Sequence, residues 1–169
     1  MTSSAIVLPS NKSQRASGDA FLRFELCSQT PAVFSMRHVQ EAMVLPARRI
    51  TPMPNMSPCM LGLMNRRSRV VWVVDLAQLL GLAVLDANVQ QYNLVLVQAG
   101  SVMLGLAVQQ VEGITWIDPN QIQSPIGQIS AALVPYLRGC ALQLHDQRQE
   151  ILLILDAETI TQSPILRAF

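Results

Sequence analysis

Leu61-Gly-Leu-Met-Asn-Arg-Arg-Ser-Arg-Val-Val-Trp-Val-Val-Asp-Leu76 is the stretch on which the reading of this chain turns. From Arg69 onward it runs as a charged residue, five apolar residues, and an aspartate that opens the short amphipathic segment Leu76–Leu80. A brief apolar run rich in β-branched residues reads as a buried strand. An aspartate at its end accepts hydrogen bonds from the orphan N–H groups of a following helix and favours the positive end of its dipole. The same unit returns as Glu150-Ile-Leu-Leu-Ile-Leu-Asp156-Ala-Glu-Thr-Ile160. Asp75 and Asp156 are therefore read as structural helix caps and not as a catalytic pair. Two copies of strand, cap and helix predict two similar lobes, well short of a solenoid.

Outward from that stretch the chain is punctuated into short strands. In Phe21–Leu26, Leu22, Phe24 and Leu26 alternate with Arg23 and Glu25, the period of a half-buried strand. Pro31–Met36 follows as a second strand, then His38–Leu45 with mixed periodicity. Pro46, Pro52, Pro54 and Pro58 rule out a helix and leave an extended loop. Tyr92–Val97 and Val102–Val108 form a hairpin across Gln98-Ala-Gly-Ser101, and Val111–Ile117 continues as a strand. Gly139–Leu144 and Glu150–Leu155 form a closing hairpin. Many short strands between turn signals indicate an all-β barrel or sandwich with short helices, not an α/β enzyme sheet. Residues 1–19, rich in serine and poor in apolar anchors, read as a disordered tail.

Half the residues are apolar and 14% are charged, against about 25% in an average domain. Either the core is large or apolar patches wait for partners. The net charge of +1 supplies no field toward nucleic acid or an anionic membrane. Yet no Asp or Glu lies between Ala42 and Val74, where Arg48, Arg49, Arg66, Arg67 and Arg69 all fall. Arginine's planar fork suits interfaces, and at least one of these is expected to serve there. Cys27, Cys59 and Cys140 are too scattered for a metal spacing, so no metal and no cofactor is expected. Ile6, Val7 and Leu8 are cut off by Pro9, and no run reaches the roughly 18 apolar residues of a membrane helix. The chain is expected to be cytoplasmic, with no membrane insertion of its own.

The opening stretch also resembles the signature of the CheW-like family: Gly-x-x-Asn-x-Arg-Gly, a short apolar strand containing Pro, then Asp-Leu. Gly62, Asn65, Arg67, Asp75 and Leu76 fall on it in register. Val39-Gln-Glu41, Gly105-Leu-Ala-Val108 with Val111, and Tyr136-Leu-Arg-Gly139 with Ile151–Asp156 are similar to further family elements, so the likeness spans about Ala20 to Ile160. The departures are Ser68 for the signature glycine, Trp72 for the strand proline and Gln109 for a second-lobe aspartate. Such a serine removes backbone freedom at a turn.

The resemblance implies two intertwined, five-stranded SH3-like barrel lobes over 20–169, roughly 20–90 and 91–160, with strands exchanged between them. It implies a non-enzymatic adaptor that couples the cytoplasmic hairpin tip of a chemoreceptor to the regulatory domain of a CheA-type histidine kinase. Carried over by position, Val39, Glu41 and Arg67 are receptor-binding and Gly62, Asn65 and Arg67 kinase-binding. A groove accepts a helical tip through apolar anchors, while a barrel edge can add strands to a partner.

Two rival readings are weaker. Cys59, His38 and Asp75 can be assembled into a nominal catalytic set, but there is no nucleophile elbow, phosphate loop or ligand cluster. The arginines near Trp72 suggest a single-stranded nucleic-acid groove, yet only 5% of residues are aromatic, too few for a stacking platform. Met53, Met56, Met60 and Met64 crowd the proline-rich loop and its exit, as gap-filling core or as a pliable contact surface.

Overall fold

The computed structural model of the protein describes residues 18–86, 88–124 and 129–167. The tail expected over 1–19 lies, as far as residue 17, outside the described residues, and Asp19 already belongs to the first strand.

Among the described residues ten strands follow in order: β1 (Asp19–Cys27), β2 (Thr30–Ser35), β3 (Val39–Pro46), β4 (Met60–Arg66), β5 (Arg69–Asp75), β6 (Gln91–Ala99), β7 (Val102–Val108), β8 (Gln110–Ile117), β9 (Leu137–His145) and β10 (Arg148–Leu155). Helix α1 (Leu76–Leu79) follows β5, and α2 (Ala157–Thr161) and α3 (Pro164–Arg167) follow β10. The mixed segment after His38 is a full strand because β3 pairs along its length with β6.

The strands make two five-stranded sheets, β8-β1-β2-β10-β9 and β3-β6-β7-β5-β4. The sheets do not divide the chain near residue 90. Strands β3 to β7 form one sheet, while β1 and β2 cross over to join β8, β9 and β10 in the other. In the cyclic order β8-β9-β10-α2-β1-β2, the first sheet repeats the connectivity β3-β4-β5-α1-β6-β7 of the second. Each contains one parallel pair, β10 with β2 and β5 with β7. Each has a bulge near the start of one edge pairing, at Arg23/Phe24 opposite β8 and at Val39/Glu41 in β3. Each far edge gains an isolated bridge, Gln123 to Cys140 and Thr51 to Leu63. The twofold echo seen in the sequence is thus a whole-lobe repeat, shifted around the chain.

Bulges bend strands and raise twist, and both sheets curl until their outer strands face each other. Three apolar clusters fill the result. One lies inside each curled sheet: Phe21, Val33, Ile117, Leu152 and Ile154 in the first, Leu45, Met64, Val73, Leu94 and Leu96 in the second. The largest joins the two, drawing Leu22, Phe24, Phe34, Leu76, Val95, Leu106, Leu155 and Ile160 from both lobes. Phe24 and Phe34 stack there with ring centroids 5.3 Å apart. Because β1 is covered on both faces, Arg23 is not the solvated residue that alternation predicts. It is 5% exposed and ion-pairs with Glu112 and Glu150, with a 2.9 Å bond from Nη1 to Gln143. An ion held among hydrogen-bonding partners is the form in which a buried charge is tolerated.

Apolar surface also remains outside. Val70, Ile114, Trp116, Leu142, Leu144 and Ile151 are exposed, so the sparse charge reflects both a large core and uncovered apolar faces. No helix among the described residues is long and apolar enough to cross a membrane.

Candidate functional site

The signature segment is the hairpin of β4 and β5. Arg66 pairs with Arg69 across it, leaving a two-residue turn of Arg67 and Ser68. Their φ angles are +49° and +65°, the pair of left-handed residues that a type I′ turn requires. Asn65 lies in β4 opposite Val70. The serine that stands at the signature glycine's position is itself left-handed, so the turn is made without glycine.

Gly62 is buried and has φ +144°; a Cβ there would meet the carbonyl oxygen of Thr51 at 2.3 Å. Its bareness lets Thr51 and Leu63 exchange two backbone hydrogen bonds of 2.8 and 2.9 Å. Gly139 does the same for the other sheet, where a Cβ would meet the carbonyl oxygen of Gln123 at 2.6 Å. Gly62 therefore shapes the strand that carries Asn65 and leads into the turn of Arg67.

Across the seam between the outer strands β3 and β4, the Arg66 guanidinium grips Glu41 with both branches, Nε to Oε2 at 3.0 Å and Nη2 to Oε1. The two side chains are about a third exposed, 31% and 29%. This fork-to-fork contact holds the Glu41 carboxyl below its ordinary range, chiefly through the hydrogen bonds from Arg66. Arg67 is exposed at the turn, and its charge adds a weaker pull on Glu41. Val39 lies two residues away, half-buried, opposite Val97 and packed on the shared core.

The seam between the sheet's two outer strands thus brings Glu41 of β3 to Arg66 and near Arg67, while Val39 lies two residues from Glu41 in β3 and Asn65 two residues before Arg67 in β4. Sequence reasoning missed Arg66 and the pairing of Glu41. The partner carboxylate lies just outside the acid-free stretch and is brought to it only by closure of the seam.

The two aspartates cap as expected. Asp75 accepts from the Gln78 N–H at 3.2 Å and the Leu85 N–H at 2.9 Å. Burial pushes its carboxyl upward, while those N–H groups pull it back. Asp156 accepts from Glu158 at 3.0 Å and Thr159 at 3.3 Å, with Arg138 3.7 Å from its other oxygen. Cys59, His38 and Asp75 are otherwise engaged: burial raises the Cys59 thiol, and His38 Nδ1 lies 3.3 Å from the carbonyl of Gln98. Among the described residues no three His, Cys, Asp or Glu side chains are grouped to hold a metal ion.

Comparison with known proteins bears on the fold and the family. The chemotaxis protein CheW of Thermotoga maritima is 30% identical over 101 residues, covering 60% of this chain and 64% of its own length. The chain thus spans slightly less than two thirds of that relative. The scaffolding protein TtCheW of Thermoanaerobacter tengcongensis superposes with a TM-score of 0.68 over 82% of this chain and 89% of its own, at 20% identity. That likeness bears on the fold, all-β with two intertwined five-stranded lobes. The CheW-like domain family matches residues 20–164, and the chain belongs to that family.

Proposed function

We propose that this protein is a non-enzymatic chemotaxis adaptor that couples a chemoreceptor-type sensor to a CheA-type histidine kinase. It would work in the cytoplasm, drawn to receptor arrays through its partners. The observation that carries the reading is the seam between the two outer strands of the second sheet, where Glu41 of β3 meets the β4–β5 hairpin that bears Asn65 and Arg67. Val39, Glu41 and Arg67 would meet the receptor hairpin tip; Asn65 and Arg67 would meet the kinase regulatory domain, with Gly62 setting their strand. Exposed guanidiniums without a carboxylate of their own are available to a partner's carboxylates or carbonyls. The family match and the chemotaxis name of the T. maritima relative support the same assignment.

Titration calorimetry against a chemoreceptor cytoplasmic fragment and a CheA-type regulatory domain tests it. Wild type should bind both. Arg67→Ala and Arg67→Lys should fold normally yet bind at least one partner far more weakly. Loss of a desolvated charged contact costs about 2–5 kcal/mol, about 25-fold or more in affinity. Affinities within about twofold of wild type for both partners would remove Arg67 from the interface.

A further inference from the structure

Arg66 stands in an open slot of the signature, between Asn65 and Arg67, and it alone bridges to Glu41 with two bonds. Both carboxylate oxygens are engaged, so the group is oriented and its charge is offset. Each oxygen keeps a further lone pair for an incoming donor. Outward from the pair, Arg67 and Arg69 are exposed, and no acidic residue lies between Ala42 and Val74.

The lobe repeat gives an internal comparison. Gly62 and Gly139 are equivalent close-approach glycines, and four residues beyond each stand Arg66 and Gln143. Arg66 faces Arg69 across its hairpin and Gln143 faces Glu150 across the other. Gln143 also reaches over its seam, donating to Thr115 Oγ1 at 2.7 Å and accepting from Arg23 at 2.9 Å. A seam-crossing side chain from this position is thus common to both lobes. Only in the second sheet does it form a charge pair directly with a carboxylate on the facing edge strand, at the edge that bears the signature.

We infer that Arg66 is a positioning residue for partner recognition: it fixes Glu41 as a neutralised, directional acceptor and leaves Arg67 and Arg69 as the outward charges, so that the helical tip fitting this edge is acidic. The inference rests on the coupling function proposed above and names the residue and the partner chemistry that would give it specificity.

The test compares wild type, Arg66→Ala, Glu41→Ala, the double alanine variant, and the exchanged pair Glu41→Arg with Arg66→Glu. Each is titrated with a chemoreceptor hairpin fragment and melted by circular dichroism. Each single alanine variant should weaken binding at least about tenfold, and the double variant should lose no more than the worse single one. The exchanged pair should regain the melting temperature without regaining affinity. A receptor fragment whose tip carboxylates are replaced by amides should bind wild type more weakly.

Additive losses would make Arg66 an independent contact, and restored affinity in the exchanged pair would make it a mere clasp; either overturns the inference. So would an Arg66→Ala affinity within about twofold of wild type, or undiminished binding of the neutralised fragment. If wild type does not bind the receptor fragment at all, the coupling function fails at that point. Arg66 is then judged by the Glu41 carboxyl titration, followed by NMR. It should rise to the ordinary carboxylate range in Arg66→Ala, and an unmoved titration overturns the positioning role.

Discussion

Ser68 carries a φ of +65° beside Arg67 at +49°, in a turn where the family pattern has glycine second. A left-handed conformation costs an L-residue about 1–2 kcal/mol relative to glycine's ease there. The signature hairpin therefore keeps a strained residue next to its exposed arginine. Ser68→Gly should relieve part of that strain, offset by the greater freedom glycine has in the unfolded chain. A net gain of about 0.5–1 kcal/mol is expected, a rise of about 1–4 °C in melting temperature at this size. A lowered melting temperature would show that the serine makes a compensating contact. At this scale the sequence was readable where residue type dictates backbone, as at the caps Asp75 and Asp156, while the close approach at Gly62 emerged only from the structure. It was silent on Arg66 and Arg23, whose partners Glu41, Glu112 and Glu150 are 25, 89 and 127 residues away. No local period carries such distances.

The strand–aspartate–helix unit occurs twice, yet the two aspartates hold different things. Asp156 caps its own helix through Glu158 and Thr159, and beyond it meets only the exposed Arg138. Asp75 caps α1 through Gln78 and also anchors Leu85, ten residues on, in the connection that leads toward β6. It is almost fully buried. Asp156→Ala should therefore cost about 1 kcal/mol, an ordinary cap loss. Asp75→Ala should cost about 2–4 kcal/mol, adding a part-buried N–H left without its acceptor. Urea titrations of both variants measure the difference, and equal losses would mean that the Leu85 bond contributes nothing. The repeat was visible in the sequence because both copies place the aspartate after the same apolar run. Strand β4 was not predicted from periodicity, since Met60–Arg66 shows no clean alternation and its pairing with β5 and Thr51 is what makes it extended. Strand β1 was predicted but only half understood, because alternation reports one buried face and closure of the sheet supplied the second.

The whole molecule is two repeats threaded through one another, and its largest core belongs to neither alone. Residues 39–108 supply one complete sheet, while the other is assembled from both ends of the described chain. Separating the lobes would expose Leu22, Phe24, Leu76, Val95, Leu106 and Ile160 at once. At about 1.5–3 kcal/mol for each large apolar side chain uncovered, that loss rivals the entire stability of a domain, about 5–15 kcal/mol. The lobes should therefore unfold together. The chain contains two tryptophans, Trp72 in the second sheet and Trp116 in the first, so each lobe carries its own reporter. Trp116→Phe leaves fluorescence from one lobe and Trp72→Phe leaves it from the other. Once each curve is corrected for the change the substitution itself makes to far-UV circular dichroism, the two reporters should give coincident denaturation midpoints. Leu106→Ala, a cavity in the shared core, should then cost about 2–5 kcal/mol and move both midpoints by the same amount. Two separated transitions, or a Leu106→Ala shift seen by Trp72 and not by Trp116, would show that the sheets are independent units and that the interlocked topology contributes little cooperativity.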